Sequence, residues 1–320
     1  MDQPYPVELH PDPWILWESA KCGHVEDCRD LLQMNSGIRG YVDNTDNEHG
    51  TTPLIAALEW SGIYARKFDF DHIRHHLAVV ELLLYYGADA SMICENGTDA
   101  LHNAIIHAPS NEYLFVILSK LGRNQLETKV NGLTALMYAI QFTDRVMIDD
   151  QVTALLRHGA DAHTVDNKGN SILHQIGSDS QWLLDIVKPY HVDINRQGDR
   201  GRTPIQFHIY RHRMSHRSGH FAHGIALLLA NNVDISIVDD DGETAVQNAA
   251  SFLPPDNEGL LLLQYREKEI ECRENERERM LAFAMGTHAR NNPDCLVQPF
   301  GMEYMKMFAD ASGFDPNRPF

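Results

Sequence analysis

Basic side chains are scarce in this sequence of 320 residues, which contains 27 lysines and arginines against 45 aspartates and glutamates. The formal net charge of -18 gives the surface a negative field. Such a field disfavours unaided binding to nucleic acid or anionic lipid, because both present phosphate groups. The sequence therefore predicts a protein partner with a basic surface, and neither direct nucleic-acid binding nor membrane binding.

Cysteines are few, and no two of them form a C-x-x-C pair. The five are Cys22, Cys28, Cys94, Cys272 and Cys295. An odd count without such pairs indicates reduced, buried thiols in an intracellular compartment. Apolar runs of membrane-spanning length are missing, and the acidic, proline-broken start lacks the pattern of a signal peptide. We therefore expect a cytoplasmic protein, with the nucleus as the alternative location.

The sequence also lacks the motifs of the common enzyme classes. It contains no G-x-G-x-x-G, G-x-x-x-x-G-K-[ST], G-x-S-x-G or H-E-x-x-H pattern. The segment Asp239-Asp240-Asp241-Gly242 resembles part of a calcium loop, but Ile237 and Asn248 occupy two positions where that loop needs carboxylates. We interpret the segment as an acidic turn. The sequence thus predicts no enzyme, no catalytic residue, no metal and no cofactor.

Six segments share a pattern that starts with glycine. A small hydroxyl or acidic residue follows two positions later, and then a small residue or proline and an aliphatic residue. The segments start at Gly50, Gly97, Gly132, Gly169, Gly201 and Gly242. The third residue of each is suited to cap a helix N-terminus, so each segment is predicted to open a helix. The glycines recur every 32 to 47 residues, which indicates a period of about 33 with insertions.

A second signature lies eight residues before each glycine, or seven before the first. It consists of Asp43, Asp89, Asn124, Asp161, Asp193 and Asp234, which we interpret as turn-forming residues. The residues two positions earlier are predicted to end a helix in the left-handed conformation. They are Tyr41, Gly87, Gly122, Gly159, His191 and Asn232, of which Tyr41 is the least suited.

This repeat resembles the ankyrin repeat, whose pattern has T-P-L-H at the first helix and G-A-D-x near the end of the unit. Gly87-Ala88-Asp89-Ala90 and Gly159-Ala160-Asp161-Ala162 match the second element, and Thr52-Pro53-Leu54 keeps most of the first. His102 and His174 fall where the family places a histidine that bonds neighbouring backbone turns. We therefore expect a structural role for both histidines.

The resemblance implies an all-α fold: an ankyrin-repeat solenoid of about seven helix-turn-helix units with extended hairpin-like turns, plus a C-terminal helical extension. We expect an N-terminal tail over 1–12, an ankyrin repeat domain over 13–253, and a charged helix with a short helical tail over 254–320. The predicted repeats lie near 13–49, 50–96, 97–131, 132–168, 169–200 and 201–241, and from 242 to 253 onward.

Two repeats exceed the period, and both excesses are predicted to be loops. The first is the segment 61–74. The second lies around 210–222 and is basic, which is unusual in this acidic protein.

The region of this second loop holds histidines at intervals of four, namely His208, His212, His216 and His220. On one continuous helix these four imidazoles would form a zinc-binding face. Ser215, Ser218 and Gly219 weaken a helix, so a solvated loop is the favoured interpretation. A metal- or pH-responsive protein is the alternative.

The segment after Pro254 is predicted to begin with a capping helix whose charged run, 266–279, faces solvent. The methionine- and aromatic-rich segment 297–308 is predicted to dock on the last repeat or on another protein.

The resemblance further implies a concave surface of turns and first helices that binds other proteins. Our leading hypothesis is a non-enzymatic scaffold or adaptor; the alternative is a substrate receptor of a ubiquitin-ligase complex, with the C-terminal tail contacting the ligase adaptor. The candidate partner-binding residues at the turn tips are Asp46, Asn47, Glu48, His49, Glu95, Asn96, Lys129, Asp166, Asn167, Lys168, Asp199, Arg200, Asp239, Asp240 and Asp241.

Overall fold

The computed structural model describes residues 13–38, 40–45, 50–67, 69–95, 97–143, 147–176, 180–215 and 221–284. The chain divides into two compact bodies. The N-terminal body ends at Asp199, and the C-terminal body starts at Arg200 and also takes in Ile176–Ser180.

The regular elements of the N-terminal body are all helical in its described residues. They are α1 (Pro13–Cys22), α2 (Val25–Met34), α3 (Pro53–Arg66), α4 (Phe70–Tyr85), α5 (Ala100–His107), α6 (Asn111–Leu118), α7 (Arg123–Leu126), α8 (Ala135–Phe142), α9 (Ile148–Arg157) and α10 (Gln181–Val187). Short 3-10 helices occur at Tyr41–Asp43, Ile172–Gln175 and Lys188–Tyr190. Extended pairing in these ranges is limited to two isolated antiparallel bridges, Val130 with Leu133 and Val165 with Ser171.

The described part of the C-terminal body contains four α-helices. They are α11 (Pro204–Ser215), α12 (Phe221–Ala230), α13 (Ala245–Ala250) and α14 (Glu258–Ala284). A further 3-10 turn, Asp199–Gly201, lies where the chain passes from one body to the next.

The helices pair along the chain and then stack on their counterparts in the next pair. In the N-terminal body the first helices pack in the order α1, α3, α5, α8 and the Ile172–Gln175 turn, and the second helices in the order α2, α4, α6, α9 and α10. In the C-terminal body α11 packs on α13, and α12 packs on α14. The predicted repeat of helix-turn-helix units is thereby confirmed in each body.

Apolar faces at helical spacing form the core of each body. In α5 the side chains of Leu101, Ala104 and Ile105 are fully or almost fully buried, as are Val152 and Leu155 in α9. Each of these helices is too short to be stable alone in water, so burial of its apolar face between neighbouring repeats is what stabilises it.

The prediction of a loop over 61–74 was wrong. The chain there continues α3 to Arg66 and starts α4 at Phe70. Together α3 and α4 have 14 more residues than α5 and α6, so the insertion lengthens both helices. The Ser61 hydroxyl does not break α3, because it donates to the Leu58 carbonyl 2.6 Å away.

The second predicted loop, around 210–222, was also largely wrong. Helix α11 runs to Ser215 and α12 starts at Phe221. The His208 and His212 rings stack on Phe221, with ring centroids 5.5 and 4.2 Å away. Since His216, Ser218, Gly219 and His220 lie outside the described residues, the exposed-loop interpretation fails for the first two histidines only.

The predicted helix openings are confirmed at five of the six segments as α-helices. At the sixth, Ser171 opens only the single 3-10 turn Ile172–Gln175. Gly177 follows closely in the sequence, and glycine is a poor helix former. The side chains of Thr52, Asp99 and Thr244 accept from backbone N–H groups three residues on, as expected for N-caps.

The predicted left-handed helix ends are found at four of six positions. Gly87, Gly159, His191 and Asn232 have positive φ angles. Tyr41 is instead buried in a 3-10 helix and Gly40 before it is left-handed, because glycine adopts that conformation without a Cβ clash. Gly122 has φ -91° and precedes α7.

Candidate interaction surface at the repeat turns

The turns between repeats are held by the carboxylates that the sequence singled out as turn-formers. Asp89, Asp161, Asp193 and Asp234 each accept, at 2.8 to 2.9 Å, a hydrogen bond from the backbone N–H two residues further on. This is the Asx-turn geometry. The other two predicted turn-formers differ: Asn124 lies inside α7, and the Asp43 carboxylate accepts from the backbone N–H of Asp89 at 2.9 Å. The four aspartates are therefore structural, as predicted.

The glycine that starts each repeat has a positive φ, from 58° at Gly50 to 85° at Gly132. Four of these glycines, Gly50, Gly132, Gly169 and Gly201, also lie close to the next turn of the same body. A Cβ on Gly132 would be 2.6 Å from the Asn167 side chain, and a Cβ on Gly201 would overlap the Asp240 carboxylate. The turns of neighbouring repeats therefore stand side by side within each body.

Two predicted tip residues are committed to the turns themselves. The Asp166 carboxylate accepts from the Lys168 and Asn170 backbone N–H groups and from the Asn170 amide, at 2.8 to 2.9 Å. Asp239, which is only 6% exposed, accepts in the same way from the N–H groups of Asp241 and Glu243 and from the Asn248 amide. The acidic-turn interpretation of 239–242 is thus confirmed, and these two carboxylates shape the tips from within.

Several of the other predicted tip residues are exposed. They are Glu95, Lys129, Asn167, Lys168, Arg200, Asp240 and Asp241. Asp199 is half-buried, and its backbone N–H donates to the Asn170 side chain at 2.9 Å. The remaining predicted tip residues, Asp46, Asn47, Glu48, His49 and Asn96, lie outside the described residues. The exposed set is of mixed charge.

In four of the repeats, the residue three positions after the helix-capping residue makes hydrogen bonds that hold the start of the helix. His102 lies with Nδ1 2.7 Å from the Asp99 carboxylate, and His174 Nδ1 accepts from the Ser171 N–H at 3.0 Å. Gln206 and Gln247 take the same position in later repeats, each accepting at 2.9 Å from the N–H of the threonine three residues earlier. The Gln206 amide also donates to the Ile237 and Glu243 carbonyls of the next turn. These contacts give His102 and His174 a structural role at the start of their own helices, whereas the bond to a neighbouring turn is shown for Gln206.

No set of three or more histidine, cysteine or carboxylate side chains is arranged to hold a metal ion in the part of the chain that the structure describes. His208 faces the carbonyls of Ile176 and Phe221 with its two ring nitrogens, at 3.2 and 3.3 Å. Burial lowers the pKa of His208. A ring so placed is engaged with backbone, so it does not offer itself as a ligand.

The described cysteines are free thiols. Burial raises the pKa of Cys28 to about 12. The pKa of Cys22 is raised by burial and by the Glu18 carboxylate. The thiols of Cys22 and Cys28 are therefore poor nucleophiles. Cys295 lies outside the described residues. None of the described helices is both long and apolar enough to cross a membrane.

Sequence reasoning missed a cluster in which α1 meets α3. The Lys21 ammonium lies 5.0 Å from the Trp17 ring centroid and 4.9 Å from that of Trp60. The Glu18 carboxylate is 3.2 Å from the same ammonium. The spacing of Trp17, Glu18 and Lys21 is a local signal that could have placed them on one face of α1, but no local signal shows that Trp60 completes the cluster.

Comparison with known proteins agrees with this architecture. Residues 72–166 match the family model for ankyrin repeats, in three copies. The chain resembles two solved structures. One is the ankyrin repeat domain of Bcl-3, described as a unique member of the IkappaB protein family, with TM-score 0.59, 20% identity and coverage of 78% of this chain and 97% of that one. The other is the human ASB11 ankyrin repeat domain, with TM-score 0.54, 16% identity and coverage of 78% and 96%.

A curated relative is the phosphocholine transferase AnkX of Legionella pneumophila, which is 28% identical over 182 residues. The aligned region covers 54% of this chain and 19% of that protein, so the chain spans about a fifth of the relative's length. Residues 72–166 thus carry three ankyrin repeats, and the fold of the chain is that of ankyrin repeat domains.

Proposed function

We propose that this chain is a non-enzymatic scaffold or adaptor that binds a protein partner at its repeat turns. Ankyrin repeats generally mediate protein–protein interaction, which supports a protein as the ligand. The observation that carries the proposal is the construction of the turns. The carboxylates of Asp166 and Asp239 hold two of the tips by hydrogen bonds within the turn, while seven other tip residues are exposed to solvent.

The charge of the chain favours a partner with a basic or mixed surface. The net charge of -18 attracts a basic protein at long range. Asp240 and Asp241 add exposed negative charge in the C-terminal body, whereas Lys129 and Lys168 add positive charge in the N-terminal body. We propose that these tips select the orientation of the partner, because complementary charge fixes register more than it adds affinity.

The experiment is affinity capture from native cell extract with the full chain as bait, followed by measurement of the dissociation constant of the captured partner. The double variant Asp240→Lys/Asp241→Lys should bind roughly 3- to 30-fold more weakly at low salt. The difference should shrink as salt is raised, because exposed charges are screened.

The matched control is Glu276→Lys/Glu278→Lys, which makes the same change in charge on the exposed part of α14. It should leave the affinity within about twofold of the wild type. Equal weakening by the two double variants would show a general charge effect and refute the proposed site at the tips. Unchanged affinity in the tip variant would refute it as well.

The activity named for AnkX is not carried over, because the chain spans about a fifth of that protein. Transfer of a phosphocholine group to any protein by the purified chain would contradict the non-enzymatic proposal. The ubiquitin-ligase alternative depends on the segment 297–308, which lies outside the described residues, and it stays a prediction. Capture with a bait truncated at about residue 255 tests it.

A further inference from the structure

We propose that Trp17, Trp60 and Glu18 form a binding slot for an arginine side chain presented by a basic protein partner, and that Lys21 occupies this slot in the unbound chain. This inference deepens the proposed function by naming the group that the partner presents. The slot lies between α1 and α3, within the N-terminal body, and none of the exposed tip residues is one of its members.

The slot has the chemistry that recognises an organic cation. Two indole rings lie about equally far from the Lys21 ammonium, at 5.0 and 4.9 Å from their centroids. The faces of indole rings carry negative potential, and tryptophan is the aromatic residue that attracts cations most strongly. The two Glu18 carboxylate oxygens, 3.2 and 3.4 Å from the ammonium, supply the opposite charge.

The rings are fixed before any ligand arrives. The Trp17 indole N–H donates to the Thr51 hydroxyl at 3.0 Å. The Trp60 ring centroid lies 6.5 Å from that of Tyr64, which in turn stacks on His72 at 4.6 Å. A rigid pair of rings binds a cation at little entropic cost, because few rotations remain to be lost.

The Lys21 side chain, which occupies the slot, is held less firmly than the Trp17 and Trp60 rings that line it. The backbone carbonyl of Lys21 lies 3.0 Å from His76 Nε2, but its ammonium reaches the slot through a flexible four-carbon stem. The side chains of Lys21 and Glu18 remain 23% and 35% exposed, so the slot communicates with solvent. A cation from outside therefore competes with Lys21 for the same walls.

Arginine suits this slot better than lysine does. The guanidinium is planar, so it stacks on indole rings, and it pairs with both oxygens of a carboxylate at once. It is also less strongly hydrated than an ammonium. The negative field of the chain favours a basic partner, which is the kind of protein that presents arginines.

The test uses the full chain and a defined probe, Nα-acetyl-arginine methylamide. The indole N–H signals in a nitrogen-15 NMR spectrum report binding, because the chain has four tryptophans and two of them line the slot. The probe should shift the signals of Trp17 and Trp60 and leave that of Trp182 in place. The citrulline analogue has almost the same shape without the charge and should bind much more weakly.

Two substitutions of the occupant should act in opposite directions. Lys21→Ala empties the slot and should raise the affinity for the probe by about 3- to 30-fold. Lys21→Arg supplies a better occupant and should lower it. Lys67→Ala, which removes another lysine placed over an aromatic ring, Tyr64, is the matched control and should have no effect. The Trp182 signal checks that each variant is folded.

Equal binding of the citrulline analogue, no gain in Lys21→Ala, or equal shifts at Trp182 would overturn the slot. The tip variant Asp240→Lys/Asp241→Lys should bind the probe like the wild type. If the probe does not bind the slot, the proposal for the turn tips is unaffected. If the tip variant binds the partner as tightly as the wild type does, the proposal for the slot is unaffected.

Discussion

Single residues decide whether a turn tip keeps its shape, and Asp239 is the clearest case. Its carboxylate accepts three hydrogen bonds while almost completely buried. A buried acceptor that loses its partners costs about 1 to 3 kcal/mol. Charge at this position is therefore a matter of stability rather than of recognition.

We expect Asp239→Asn to lower the free energy of unfolding by about 1 to 3 kcal/mol. The new amide would direct an N–H₂ group at a donor, either the Asn248 amide or the backbone N–H groups. Chemical denaturation measures the loss. Asp241→Asn, at an exposed neighbour, should change stability by less than about 0.5 kcal/mol. Equal losses would mean that Asp239 does not hold the turn.

The role of a single residue could be predicted from the sequence where its hydrogen-bond partners are its own neighbours in the chain. Asp89, Asp161, Asp193 and Asp234 bond backbone two residues away, so their role was visible locally. Trp60 was missed because its partners, Trp17 and Lys21, lie on another helix.

At the scale of elements, helix packing depends on close approach where α3 crosses the end of α5. A Cβ added at Gly62 would overlap the carbonyl oxygen of His107, the last residue of α5. Gly62 is buried within α3. The two helices can lie this close only because Gly62 has no side chain.

We therefore expect Gly62→Ala to destabilise the chain by about 1 to 3 kcal/mol, since overpacking outweighs the helix propensity that alanine gains. Gly37→Ala is the control, because a Cβ there would meet nothing within 4 Å. Thermal unfolding of the two variants gives the comparison. A stabilised Gly62→Ala protein would show that α3 and α5 can move apart freely.

Element boundaries were predictable at caps and poorly predictable at insertions. The N-cap side chains of Thr52, Asp99 and Thr244 marked three helix starts directly. The period, however, indicates only that 14 residues are extra in one repeat, and it cannot show whether they form a loop or longer helices. Packing of Tyr64 against His72 and His76 gives the two extended helices contacts with each other, which no local propensity contains.

At the scale of the whole molecule, half-buried histidines in both bodies make stability depend on pH. Burial lowers the pKa of His107, with Arg66 adding repulsion, and lowers that of His208, with Arg211 and His212 adding to it. The folded chain therefore resists protonation of these rings, whereas the unfolded chain binds protons below about pH 6.5. Stability from these groups is present at pH 7.5 and is lost as the pH falls.

We expect the free energy of unfolding to be lower at pH 5.5 than at pH 7.5, and His208→Gln to reduce that difference. Asp43 acts in the opposite direction, because burial raises its pKa. The comparison of variant with wild type, by denaturant titration at the two pH values, isolates the histidine. An identical pH dependence in His208→Gln would show that His208 does not contribute.

The lengthened α3 also makes the surface formed by the first helices of the N-terminal body uneven, because α3 extends further than α5. Beyond Gly62, where α5 stops, α3 continues for four residues, a rise of about 6 Å. A ligand chain lying across the first helices would contact the protruding end of α3 and would have to stop or change direction there. The row of first helices is thus not translationally uniform, and a bound segment would have a preferred direction and a defined starting point.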